Sequence, residues 1–214
     1  MKDPSLPRDD RRTDHKNVIL SVAKNLRSKS MGVEIEKKFL INSLPEDLNR
    51  YPFHMIEQGY LNVYPAIRVR REDDICYMTY KGDLLHDDPQ NAGSRGDIGK
   101  VEYNLPLDAA SYKHMVSKAD GNLIRKKRYL LPLNQDAYTI EYLDRRPELS
   151  EMMENGDLKI ELDVFEEPFM GQIIAEVEFP DEEAAREYKK ADWFGKEVTG
   201  DKNYSNAYMS SLKL

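Results

Sequence analysis

The chain has one cysteine, Cys76, and one tryptophan, Trp193, in 214 residues. A lone cysteine excludes an internal disulfide and fits a reducing, cytoplasmic setting. The four histidines, His15, His54, His86 and His114, are scattered, and with a single cysteine they offer no zinc-type ligand spacing. No apolar run approaches the ~20 residues that a membrane span needs, so no membrane partner is expected. Excess positive charge is missing as well. Residues 1–30 carry eight Lys/Arg against four Asp, so with a net −7 for the whole chain the remainder carries −11. An acidic body argues against a broad nucleic-acid surface but leaves room for a local basic pocket. What remains, 33% charged and 40% hydrophobic residues, is the composition of a soluble globular protein.

The first thirty residues differ from the rest. "MKDPSLPRDDRRTDHKN" is polar and without period, and "VILSVAKNLRSKS" holds one short, interrupted apolar run. Four Asp count against a transit peptide, and the run is too short for a signal sequence. We expect residues 1–30 to be a disordered or spurious extension, and residues 31–214 to form one domain with Met31 its natural start.

From Met31 the punctuation is that of an antiparallel β protein. Strands are expected at 32–41 and 53–64, and "AIRVRRED" and "ICYMTYKG" read as a hairpin turning at Asp73–Asp74. Residues 83–99, including "GSRG", read as a loop before the strand "KVEYNLPL". Residues 108–119 read as a short helix capped by Asp108. "NLIRKKRYLLPL" and "AYTIEYLD" read as strands, and 144–157 as a polar excursion with one helical turn. "LKIELDVFEE" and "IIAEVEFP" form a further strand pair. Asp181 opens a helix whose charge order complements its dipole, and "NYSNAYMSSLKL" reads as a terminal helix. Trp193 and Phe194 are expected to pack the outer wall. About eight strands with few helices suggest a closed barrel or a strongly curved sheet.

Strand by strand, charges share a face. Successive side chains alternate, so Glu34, Glu36 and Lys38 of "VEIEKKF" point one way. So do Arg68 with Arg70, Thr79 with Lys81, Lys100 with Glu102, Lys126 with Arg128, Glu161 with Asp163, and Glu176 with Glu178. Their alternates, among them Phe39, Val69, Leu162 and Val177, are apolar. For any one strand the ordinary reading is an oily inside and a charged outside. Over seven strands, however, the charges segregate by sign, and like charges held together are destabilising unless a counter-ion binds them. A divalent cation answers the carboxylates through hard oxygen ligands, and a phosphate chain answers the guanidinium groups.

The "EIEKK" stretch fits an E-x-E-x-K signature. With "QGYL", "RVRR", "YKG", "VEY", "KKRYL", "ELDVF", "IAEVEF" and "WFGKEVTGDKNYSNA" in order over 31–211, the chain resembles the CYTH domains, or triphosphate tunnel metalloenzymes. The resemblance implies a mainly β (α+β) fold, an eight-stranded antiparallel closed barrel forming a tunnel, with flanking helices and a C-terminal helix. It implies Glu34, Glu36, Asp163, Glu176 and Glu178 as ligands for Mg²⁺ or Mn²⁺. Lys38, Arg68, Arg70, Lys81, Lys126, Arg128 and Lys202 are the implied substrate contacts. A second cation, or a carboxylate such as Glu36, would orient the attacking water, while Lys38 and Lys126 neutralise charge. Glu102 matches an acidic position without a settled role, and Tyr60 is either an aid to proton transfer or a hydrogen-bonded lining residue. Lys100 and Asn104 depart from the family's acidic pattern, which bears on a second metal, and 144–157 resembles an insertion. The implied activity is metal-dependent cleavage of the terminal phosphate of a triphosphate, inorganic tripolyphosphate being favoured, by a monomer or homodimer. Adenylyl cyclase, thiamine triphosphatase and a non-catalytic polyphosphate- or nucleotide-binding module remain alternatives on the same fold. Replacing Arg68, Arg70 or Lys126 by alanine is expected to impair catalysis with little loss of apo stability.

Overall fold

The computed structural model describes residues 35–83 and 100–214. Residues 1–30, Met31, Glu34 and the 84–99 part of the expected loop lie outside the described residues. Nine strands form one antiparallel sheet: β1 (Ile35–Ile41), β2 (Phe53–Val63), β3 (Ala66–Glu72), β4 (Ile75–Asp83), β5 (Lys100–Leu107), β6 (Asp120–Pro132), β7 (Lys159–Phe165), β8 (Ile173–Phe179) and β9 (Phe194–Glu197). Their spatial order is β5-β4-β3-β2-β6-β7-β8-β1-β9.

The expected closed eight-stranded barrel is therefore corrected to an open sheet of nine strands. The outer edge of β1 is already occupied, since Phe39 and Ile41 pair with Glu197 and Phe194 of β9. Just beyond, the Val198 N–H donates to the Lys38 carbonyl at 2.8 Å, and the Lys38 N–H donates to Thr199 Oγ1 at 3.1 Å. At the other end β5 pairs only with β4 among the described residues.

The apolar alternates face outward, beneath helices. Phe39, Tyr129, Leu131, Leu162, Ala175 and Val177 are buried in one cluster with Tyr142, Leu149, Ala184 and Tyr188. The latter four come from α2 (Ile140–Arg145), α3 (Pro147–Asn155), α4 (Glu182–Glu187) and the residue following α4. Phe194 is buried and Trp193 partly buried in this same cluster, so the outer-wall expectation holds. On the other half of the sheet, α1 (Ala109–Val116), capped by Asp108 accepting from the Ser111 N–H, packs Tyr112 against Val69 and Cys76. Gly59 permits this approach, because a Cβ there would lie 2.6 Å from the Ala119 Cβ and 2.9 Å from Leu123 Cδ2.

Two local readings are overturned. "AYTIEYLD" is a turn followed by α2, whose Thr139 side chain accepts from the Tyr142 N–H. Tyr138, in the bend just ahead of the helix, stacks on Tyr142 at 5.5 Å in the core. The expected single turn within 144–157 is a full helix, α3, started by Pro147 and stopped by Gly156 at φ 78. The β3–β4 hairpin turns where expected. There Asp73, at φ 51, accepts from the Met55 N–H at 2.8 Å and ties the turn to β2.

The opposite face of the sheet is charged over most of its length and apolar at one end. That end is floored by Ile124, Phe165 and Ile174 together with Met209 of α5 (Asn206–Ser211) and the partly buried Leu40. Among the described residues no helix is long and apolar enough to cross a membrane. Met209 is 1% exposed, so Met209→Ala should destabilise the fold by about 2–5 kcal/mol, read as a lower urea midpoint at unchanged slope.

Candidate active site

Strand register brings the charged positions into one network. Glu36 lies opposite Glu178, and Lys38 opposite Glu176, across β1 and β8. Glu161 lies opposite Glu176, and Arg128 opposite Asp163. Lys38 Nζ is 2.8 Å from Glu176 and 3.4 Å from Glu36. Arg128 is the hub: its Nε and Nη2 each donate to Asp163 at 2.7 Å, and Nη2 also donates to Glu176 at 2.7 Å. Its Nη1 donates to Glu161. Lys126 donates to Asp163 and sits 5.3 Å from the centre of the Phe165 ring. Arg128 on β6 thus reaches Glu176 on β8 across β7, so the sheet curls around its charged face.

Burial and charge pull these groups in opposite directions. For Glu176, burial alone would raise the carboxyl pKa, but Arg128, Lys38 and Lys126 hold it well below the usual range. Burial likewise opposes the charge on Lys38 and Arg128. In Lys38 the carboxylates of Glu176 and Glu36 prevail, in Arg128 those of Asp163 and Glu161, and both pKa values rise. Lys126 differs. Burial, helped by the neighbouring Arg128, pushes it down to about 8 although Asp163 pulls the other way.

The other wall, on β3 to β5, is basic. Arg70 is buried. Its Nε donates to Gln58 Oε1 at 2.8 Å and its Nη1 to the Tyr77 hydroxyl at 3.2 Å. Tyr77 in turn donates to Glu72 at 2.9 Å. Lys81 stands 3.6 Å from Glu102, whose other oxygen accepts from Asn104 at 3.2 Å. Thr79 donates to Asn104 at 2.6 Å. Tyr60, opposite Arg68, is buried with its hydroxyl 3.3 Å from Gln58 Nε2. The Nε of Arg68 is buried without a hydrogen-bond partner.

Of the residues singled out in the sequence, the structure gathers Glu36, Lys38, Arg68, Arg70, Lys81, Glu102, Lys126, Arg128, Asp163, Glu176, Glu178 and Tyr60 on this face. Glu34 lies outside the described residues. Lys202 is exposed in the 3₁₀ turn Lys202–Tyr204 and pairs with none of these groups. Glu161 shares its face with Asp163, and the period of two places it in the network although the ligand set implied by the resemblance omits it. Gln58 and Tyr77 were missed because they are uncharged, although Gln58 shares its face with Tyr60.

The donor set suits a hard cation, since Glu36, Glu161, Asp163, Glu176 and Glu178 offer only carboxylate oxygen. Among the described residues no three His, Cys, Asp or Glu side chains converge as a ready ligand cluster. Several of these carboxylates are instead held by Lys38, Lys126 and Arg128. The unpartnered Arg68 Nε suits an anion.

These pairs divide the arginines by what they do without ligand. Arg128→Ala would leave Asp163, Glu161 and Glu176 short of their main cation and should cost about 3–5 kcal/mol. The expectation of little apo loss is corrected for Arg70→Ala and Lys126→Ala, which should also destabilise, because both side chains are buried and hydrogen-bonded without ligand. Arg68→Ala should stay within about 0.5 kcal/mol of the parent. Urea denaturation of the ligand-free variants checks the ranking.

No family model matches the chain. The inorganic triphosphatase of Acetivibrio thermocellus is 30% identical over 187 residues, spanning 83% of this chain and 92% of that protein. The inorganic triphosphatase of Nitrosomonas europaea is 29% identical over 177 residues, spanning 81% of this chain and 93% of that protein. A crystal structure of the inorganic triphosphatase NE1496 superposes with a TM-score of 0.54 at 26% identity, covering 85% of this chain and 96% of that one. Relatedness of this extent makes the chain a member of the CYTH, or triphosphate tunnel metalloenzyme, family.

Proposed function

We propose that the protein is a metal-dependent phosphohydrolase that cleaves the terminal phosphate of inorganic triphosphate on this charged face. The observation that carries the reading is the division of the face into a carboxylate-rich wall and a basic wall, with a buried Arg68 Nε still lacking a partner. Two relatives named inorganic triphosphatase, each matched over more than 80% of this chain, support the substrate.

Glu36, Asp163, Glu176 and Glu178, joined by Glu161 and by Glu34, would hold Mg²⁺ or Mn²⁺. Such an ion supplies Lewis acidity and charge neutralisation at phosphate oxygens. The protein's own part is positioning and electrostatics, as phosphoryl transfer demands. Arg68 and Arg70 bind and orient the phosphate chain from β3, and Lys81 extends the basic wall on β4. Lys38, Lys126 and Arg128 are prepaid with carboxylate partners. With substrate bound they would meet phosphate oxygens, and the carboxylates they leave would be free to hold the cation, so that neither state would leave a buried charge alone. Glu36 orients the attacking water. Lys202, just ahead of the helix that floors the site, is a further phosphate contact.

The test is phosphate release from tripolyphosphate, pyrophosphate, ATP and thiamine triphosphate, with cyclic AMP assayed in parallel. Release from tripolyphosphate in Mg²⁺ or Mn²⁺, abolished by EDTA, is expected. Activity that persists in EDTA would exclude the metal, and cyclic AMP production would replace hydrolysis by cyclisation. Glu178 is exposed, so Glu178→Gln should keep stability within about 0.5 kcal/mol. It should nonetheless raise the Mg²⁺ concentration for half-maximal rate at least about tenfold, the equivalent of one charge-assisted contact.

A further inference from the structure

We propose that Gln58 is a positioning residue that compels the Tyr60 hydroxyl to offer its proton to the bound phosphate chain. The proposal rests on the triphosphatase reading. Gln58 is fully buried on β2, on the same face as Tyr60, and it lies opposite Arg70 on one side and Ile124 on the other. Its amide has two ends of different chemistry, and Arg70 decides which way it points. A guanidinium Nε can only donate, so the group 2.8 Å from it must be the amide oxygen. The amide nitrogen then faces the Tyr60 hydroxyl at 3.3 Å. A nitrogen of that kind can only donate, so the phenol oxygen accepts and its own proton points elsewhere.

No other hydrogen bond to the Tyr60 hydroxyl is present among the described residues. The hydroxyl proton of a buried side chain thus has no protein acceptor among the described residues, on a face it shares with Arg68, Arg70 and Thr79. A buried donor held unsatisfied is unfavourable, and a phosphate oxygen satisfies it with a charge-assisted bond. Tyr60 donates this bond without transferring the proton. Tyr77 shows the contrast: it accepts from Arg70 and donates to Glu72, so its hydroxyl is spent. Gln58 therefore acts through two neighbours. It holds Arg70 by its Nε, and it sets the direction of the Tyr60 donor.

The test compares the wild-type chain, Tyr60→Phe, Gln58→Glu and the double variant, with kcat and KM measured on tripolyphosphate and Mg²⁺. In Gln58→Glu the new carboxylate still accepts from Arg70 but has no N–H for Tyr60, so the phenol proton turns to it and away from substrate. Each single variant should lose about ten- to a hundredfold in kcat. The double variant should lie within about twofold of Tyr60→Phe, because both changes remove the same bond. Weaker binding caused by the added negative charge shows in KM, in both backgrounds, and is read separately. Losses in kcat that multiply in the double variant, or an unchanged kcat in either single variant, would overturn the proposal. If Gln58→Glu does not fold, Gln58→Met replaces it; its own loss includes that of the Arg70 contact, so the readout is the further cost of adding Tyr60→Phe, expected within about twofold in kcat, and a larger further cost overturns the proposal. If the wild type releases no phosphate, the triphosphatase reading fails by itself. The same four proteins are then titrated with tripolyphosphate by calorimetry. Affinity losses that do not multiply support Gln58 as the positioning residue, and losses that multiply overturn it.

Discussion

Taking Lys126, Asp163 and Arg128 out of water together is the interaction on which the rest of this structure depends. An ion buried alone costs several kcal/mol, and mutual attraction offsets this only when geometry and further hydrogen bonds are good. Here the register of β6 against β7 sets Arg128 opposite Asp163 and leaves Lys126 two residues away on the same face. Asp163 serves both cations, and Arg128 spends its remaining donors on Glu161 and Glu176. Because this cluster takes one face of the sheet, the apolar alternates must be buried on the other. That inversion requires α2 to α4 to lie outside, where the main core forms, and α1 to cover the other half of the sheet.

The same constraint fits the face for its proposed work. A cavity rich in charge but without ligand has to be stable before it binds anything. Pairing Lys38, Lys126 and Arg128 with carboxylates keeps the network folded, and a polyanion with its cation would take over those pairs. Burial keeps the effective dielectric low, so the exchanged contacts act more strongly than they would at a surface. The apolar floor of Ile124, Phe165, Ile174 and Met209 closes one end and keeps water from that side of Lys126.

Much of this was legible residue by residue. A period of two assigned Arg68, Arg70, Lys126, Arg128, Asp163, Glu176 and Glu178 to one face, and segregation by sign placed that face inside. The same rule places Glu161 there too, and only attention to a ligand pattern left it out. The segment of α2 fits a strand as well as a helix because residues four apart, such as Tyr138 and Tyr142, share a side in both, and the choice between them lies in what they pack against. Gln58 and Tyr77 gave no signal of charge, and their roles come from hydrogen bonds between strands distant in sequence.

The sequence by itself determined which side chains share a face, that like charges on it need partners, and which ordered motifs relate the chain to its family. Those are local consequences of backbone alternation and electrostatics. Only the tertiary structure decided that the described sheet stays open, with β9 on the edge of β1, and that Arg128 joins three carboxylates from two other strands. It also turned the amide of Gln58 toward Arg70. Strand order, edge occupancy and the direction of a neutral hydrogen bond are set by pairing between segments far apart in the chain, and no local pattern of residues encodes them.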